Sequence, residues 1–140
     1  MWGQAGRAFA AKARGAKRAL LLPVSAPFHS SMLKPAGERL ALRLAHVDIV
    51  TPKIPVVHNV DVETHSEPNE IRAALARQAA NPVRWTETVQ WFAAHGVTQV
   101  VECGPAKVLA GLTRRIDDRL QVFALTDVAA NVDACAALAA

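Results

Sequence analysis

The run Ala19 to Val24 is apolar and short enough for a strand, Pro23 and Pro27 stiffen the turn after it, and a 3.6-residue apolar repeat begins directly beyond that turn. A strand, a rigid turn and a helix in that order constrain the chain to helices layered on a sheet. The turn, Val24-Ser25-Ala26-Pro27-Phe28-His29-Ser30-Ser31-Met32, sets His29 at the exit of the strand. Strand ends are where α/β proteins usually hold their chemistry, and an imidazole there is placed to move a proton. No Gly-x-Ser-x-Gly elbow occurs in the 140 residues, so a general base is indicated and the nucleophile it would activate is not.

The same alternation runs through the chain. Ala5 to Arg14 favours helix, Gly15 is a natural stop, and Arg18 to Val24 reads as a strand. Leu33, Ala36, Leu40, Leu44 and Val47 then keep helical spacing, with Ser30 or Ser31 available as cap and Pro35 in the first turn. Ile54 to Val60 predicts a buried strand leading to Asn59. Ser66 can cap a helix with Pro68 in its first turn and Ile71, Leu75 and Gln78 on one stripe. An unpaired buried amide costs about 1–3 kcal/mol, so Gln78 either ends that helix in solvent or meets a site. Asn81-Pro82 breaks the pattern, and Trp85, Val89 and Phe92 resume it as core up to Gly96. Val97 to Glu102 reads as a strand, Gly104-Pro105 as a turn, Ala106 to Ile116 as a helix and Gln121 to Leu125 as a strand. A closing helix starts from Val128 or Asn131. The fold class this predicts is α/β with a mostly parallel sheet.

Composition narrows the function classes. At 51% hydrophobic and 20% charged, the chain fits one globular domain with a core. No apolar stretch approaches the roughly 20 residues of a membrane helix, and the basic start lacks a signal-peptide core, so a cytoplasmic protein without membrane contact is expected. Cys103 and Cys135 have no C-x-x-C spacing, and His46, His58, His65 and His95 have no ligand spacing; no metal site is expected and these groups read as structural or surface. Net charge is +4, and Arg7, Lys12, Arg14, Lys17, Arg18 and Lys34 crowd the first quarter. They form either a solvated face or a surface for an acidic partner; nucleic acid is not expected, because no helix-turn-helix, finger or RNP pattern accompanies them. Ser25, Ser30 and Ser31 read as caps or turns, and Asn59 and Asp61 as turn residues that could line a pocket.

Four blocks, taken together, resemble malonyl-CoA:acyl carrier protein transacylase. They are Leu22-Pro23-Val24-Ser25-Ala26-Pro27-Phe28-His29-Ser30-Ser31-Met32; Ile54-Pro55-Val56-Val57-His58-Asn59-Val60-Asp61; Arg77-Gln78 with Asn81-Pro82-Val83-Arg84-Trp85; and Glu102-Cys103-Gly104-Pro105 with Lys107-Val108-Leu109. They stand in the family's order and spacing, from about Ala5 to the C-terminus. The resemblance implies transfer of malonyl from malonyl-CoA, through a serine in a Gly-His-Ser-x-Gly turn, to the phosphopantetheine thiol of acyl carrier protein. It implies no cofactor beyond the coenzyme A thioester that is the substrate. His29 matches the catalytic histidine and Gln78 the glutamine whose backbone carbonyl orients it. Phe28, in an Ala-Pro-Phe-His order similar to that of malonyl-selective polyketide acyltransferases, would narrow the acyl pocket or else simply pack in the core.

The resemblance also implies an α/β-hydrolase-like acyltransferase core interrupted by a ferredoxin-like small subdomain. Residues 1–23 would be a remnant of that subdomain and 24–140 the C-terminal part of the core. The elbow serine, the arginine that clamps the malonyl carboxylate and the glutamine loop of the oxyanion hole have no counterparts here, so the chain alone is expected to be inactive. Gly3-Gln4-Ala5-Gly6 is not equivalent to that loop. Two other readings stay open: a non-catalytic module that holds a carrier protein or partner on its basic face, and the tail of a polyketide synthase acyltransferase domain.

Overall fold

The computed structural model describes residues 4–19, 26–104 and 106–139. Helix α1, Gln4–Ala13, ends where the sequence places its stop. Gly15 takes a φ of +87°, its N–H donates to the Lys12 carbonyl and that of Ala16 to the Ala11 carbonyl, both at 3.0 Å. This pair of crossed bonds satisfies two carbonyls that a helix end leaves open, and glycine reaches the left-handed geometry without a Cβ clash. Most of the strand expected from Arg18 to Val24, Ser25, the division between residues 23 and 24, and Pro105 lie outside the described residues.

After the histidine turn comes one 3₁₀ turn, Ser31–Leu33, continuous with α2, Lys34–Leu44, which carries Pro35 in its first turn. Neither Ser30 nor Ser31 caps it: the Ser30 hydroxyl instead donates back to the Pro27 carbonyl at 2.7 Å, tightening the turn before the helix. Helix α3, Pro68–Gln78, lies against α2. Its cap position is Glu67, not Ser66, because Pro68 already fixes the first helical φ and the chain turns helical one residue later than a Ser66 cap requires. Ile71 and Ala74 form its buried face.

The expected buried strand from Ile54 to Val60 is corrected. Only Val57–His58 (β1) pairs, antiparallel to Glu63–Thr64 (β2), while Ile54 is 77% and Val56 50% exposed. Pro52 and Pro55 bring no N–H to a ladder, and pairing is confined to Val57 and His58, beyond both prolines. The sheet is accordingly not one parallel layer among the described residues but two two-stranded pieces.

The second piece is the parallel one and holds the main core. β3, Gln99–Glu102, pairs with β4, Gln121–Ala124, in register Val100 with Val122. Parallel neighbours need a crossover, and α5, Val108–Ile116, supplies it. Helix α4, Trp85–Ala94, packs on α5, and Val89, Ala110, Leu120 and Val122 form the buried cluster, with Trp85, Val100 and Ile116 around it. Helix α6, Val128–Leu138, closes against β4 through Ala134; the Asp127 carboxylate accepts the Ala130 N–H at 2.9 Å as its cap. No helix among the described residues is long and apolar enough to cross a membrane.

Candidate active site

His29 sits in the left-handed region, with φ +52°, at the corner of the turn that Pro27 and Ser30 brace. Histidine tolerates that conformation better than most side chains, and a residue held there by its surroundings has a fixed direction of departure for its ring. The ring is exposed on one side and anchored on the other: Nδ1 lies 3.0 Å from the backbone carbonyl oxygen of Gln78. A carbonyl only accepts, so Nδ1 carries the proton and donates. Nε2 is then the nitrogen with the free lone pair.

The partner carbonyl belongs to the last residue of α3. The final carbonyls of a helix have no intrahelical donor, so the Gln78 carbonyl needs one from outside the helix. Gln78 thus meets the histidine through its backbone, as the resemblance implies, and is itself half-buried. Phe28, 61% exposed, adjoins His29 in the same turn and is not packed as a core aromatic.

Two contacts set the distance between the turn and the end of α3. Gly37 of α2 is buried so closely on α3 that a Cβ there would stand 3.1 Å from the Ala76 carbonyl oxygen. Arg72 of α3 reaches back to the C-terminal end of α2, donating from Nε to the Leu44 carbonyl at 3.0 Å and from Nη2 to the Val47 carbonyl at 2.8 Å.

A second polar cluster is not legible as one in the sequence. Asp61 accepts from His65 Nε2 at 3.1 Å and from Arg77 of α3 on the same carboxylate oxygen, and its backbone carbonyl accepts Arg84 Nη1 at 3.0 Å. His58 is 5% exposed, its ring 5.2 Å from that of His65. Burial, then the nearby His65 charge, hold its pKa below the ordinary histidine value against the pull of Asp61. Burial pushes Asp61 up, but the His65 hydrogen bond and the charges of His65 and Arg77 together hold it below the usual carboxylate value. The Arg84 backbone N–H also donates to the Asn59 carbonyl at 3.0 Å. Asn59 and Asp61 therefore tie the β1–β2 hairpin to α3 and to the start of α4. No spacing rule links residues 16 apart, so only the fold brings Asp61 to Arg77.

Cys103 and Cys135 are free and exposed, and no group of three or more His, Cys, Asp or Glu among the described residues is placed to hold a metal ion. No protein-family model matches the chain. The malonyl CoA-acyl carrier protein transacylase of Salmonella typhimurium is 52% identical over 121 residues, which are 86% of this chain and 39% of that protein. That of Bacillus subtilis strain 168 is 43% identical over 84% of this chain and 37% of its own length. Among solved structures, an acyl-carrier-protein S-malonyltransferase from Burkholderia pseudomallei 1710b superposes with a TM-score of 0.89 at 55% identity, over 98% of this chain and 44% of that one. A malonyl-transacylase solved with its type II polyketide acyl carrier protein gives 0.87 at 48% identity, over 91% and 41%. The chain thus spans about two fifths of the length of these relatives. Agreement in sequence at this level, carried by the same backbone course, goes well beyond a shared α/β architecture: the chain is similar, in sequence and in fold, to about two fifths of a malonyl CoA-acyl carrier protein transacylase.

Proposed function

We propose that this chain carries the acid–base part of malonyl transfer from malonyl-CoA to the phosphopantetheine thiol of acyl carrier protein, in the cytoplasm and with no cofactor beyond the thioester substrate. The observation that supports it is the His29 Nδ1–H bond to the Gln78 carbonyl, which leaves Nε2 free on the exposed side. In the first half-reaction Nε2 takes the proton of a serine hydroxyl supplied from outside these 140 residues. The alkoxide attacks the malonyl thioester, the carbon–sulfur bond breaks, and the imidazolium returns its proton to the departing coenzyme A thiolate. In the second, Nε2 takes the carrier-protein thiol proton, the thiolate attacks the malonyl–serine ester carbonyl, the ester carbon–oxygen bond breaks, and the imidazolium returns the proton to the departing serine alkoxide. The Gln78 carbonyl stabilises the imidazolium in both halves, as an aspartate does in a Ser-His-Asp triad. Phe28 is the side chain we assign to narrowing the acyl pocket.

The test is to mix this chain with the part of the Salmonella typhimurium relative that it does not match, then add malonyl-CoA and holo carrier protein and weigh the carrier by intact mass. Malonylated carrier that requires both pieces and disappears with His29→Ala is expected. Transfer by this chain alone, lost with His29→Ala, would place a nucleophile within it and overturn the reading. Lys12, Arg14, Lys17 and Arg18 are exposed at the end of α1 and beyond, which favours a second reading as a carrier-holding surface. That affinity would fall with salt and on neutralising Arg14, Lys17 and Arg18, and ignore His29.

A further inference from the structure

In an uninterrupted helix the Gln78 carbonyl would accept the N–H of residue 82, four positions on. Residue 82 is proline, which has no N–H and whose ring clashes with the carbonyl four residues back. The residue before it, Asn81, is driven out of helical geometry by the same ring. Its side chain nevertheless closes the helix end: Nδ2 donates to the Arg77 carbonyl at 2.7 Å, where the backbone N–H of a fourth residue along would have been, and the Ala80 N–H shares that oxygen at 3.2 Å. The chain then leaves α3 for the Arg84 N–H bond to the Asn59 carbonyl. The Arg77 carbonyl is thereby filled and the next one, Gln78, is denied its backbone donor. That single carbonyl is the one His29 Nδ1–H occupies.

We infer that Asn81 and Pro82 are positioning residues: together they stop α3 so that its last carbonyl is reserved for the imidazole, and this fixes the tautomer with Nε2 unprotonated. The inference rests on the reading of His29 as the base, but the two can fail separately. Pro82→Ala restores an N–H at the position that competes for the Gln78 oxygen, and Asn81→Ala releases the Arg77 carbonyl to compete for neighbouring donors.

The experiment is imidazole nitrogen NMR on the 15N-labelled 140-residue chain, with His29 assigned by His29→Asn and fold followed by circular dichroism. In the parent chain the neutral His29 ring should hold its proton on Nδ1. Pro82→Ala and Asn81→Ala should each move the tautomer ratio toward Nε2–H by about fivefold, the equilibrium equivalent of one ordinary hydrogen bond. Asn81→Gln, which keeps a donor amide, should restore part of the parent ratio. A parent ring protonated on Nε2 would sink the base reading itself. A parent ring protonated on Nδ1, with folded variants whose ratio does not move, would overturn the positioning role alone. Loss of fold in both variants would also overturn it, since these residues would then hold the domain rather than aim the ring.

Discussion

Gly37 and Ala76 meet backbone to backbone: a methyl group on Gly37 would stand 3.1 Å from the Ala76 carbonyl oxygen, with the Ala79 methyl 3.8 Å away. The obstacle is main chain within α3 and cannot rotate aside. Alanine at this site gains about 1 kcal/mol in helix propensity and loses a similar amount to crowding, so Gly37→Ala should leave stability nearly unchanged. Gly37→Val adds bulk that α3 must move to admit and should destabilise by about 2–3 kcal/mol. Urea midpoints for the two variants check this; a valine variant as stable as the parent would mean that α2 and α3 are not held at this separation.

His58 and Asp61 make stability pH-dependent in a defined direction. His58 has a folded pKa below its ordinary 6.5, so the unfolded chain binds its proton first and stability falls as pH drops below that value. Asp61 has a folded pKa below its ordinary 3.8, so its contribution is complete above that value and is lost as pH falls through the folded pKa. Melting temperatures between about pH 8 and pH 5 should therefore decline on the acidic side in the parent. With His58→Leu the decline should be shallower, and with Asp61→Asn it should persist. A parent curve flat across that window would contradict the assignment of His58 as a neutral buried group.

Legibility in the sequence divides along physical lines. Helices with strong periodicity and glycine or proline punctuation, such as α1 to Gly15 and α3 from Pro68 to Gln78, have their bounds written in local residues. So does the parallel β3–α5–β4 unit, whose β-branched runs flank a helical repeat. The β1–β2 hairpin is hard to read because Val56 and Val57 signal burial, while the neighbouring prolines that shorten the ladder act only through a partner strand. At the site, His29 and Gln78 are legible through the family resemblance, but Asn81 and Pro82 read only as a helix stop. Their relation to the histidine exists in the hydrogen bonds of one carbonyl, which periodicity does not encode. The Asp61 cluster is invisible for the same reason: its partners come from the hairpin, α3 and the start of α4.

Glu102, at the end of β3, reaches across the turn beyond it to accept the Leu109 N–H at 3.2 Å and the Ala110 N–H at 2.8 Å. A strand-end carboxylate thus does for α5 what a local cap residue does elsewhere, in line with the favourable end of the helix dipole. Removing it with Glu102→Ala should cost about 1–2 kcal/mol, and Glu102→Gln, which keeps one acceptor, about half of that. Denaturant unfolding should show the midpoint falling with the slope unchanged. Equal effects of Ala and Gln would assign the contribution to charge alone.

Apolar side chains left outside make a last prediction. Val108 and Leu112 on α5 are 63% and 39% exposed, and Val128 and Val132 on α6 are 79% and 63% exposed. Each pair stands four residues apart on one helix face, and β3 and β4 each have one strand neighbour among the described residues. Contiguous apolar surface beside open strand edges drives association in water. Sedimentation velocity should show the chain self-associating as its concentration rises. Replacing the α6 pair with Val128→Glu and Val132→Lys sets a favourable charge pair on an exposed face, so stability should change by less than about 0.5 kcal/mol while association weakens. Association that is unaffected by the double change, but abolished by Val108→Glu with Leu112→Lys, would assign the contact to the α5 face. Association that survives both would leave strand-edge pairing as its cause, which a lysine at Gln121 on β4 should then disrupt.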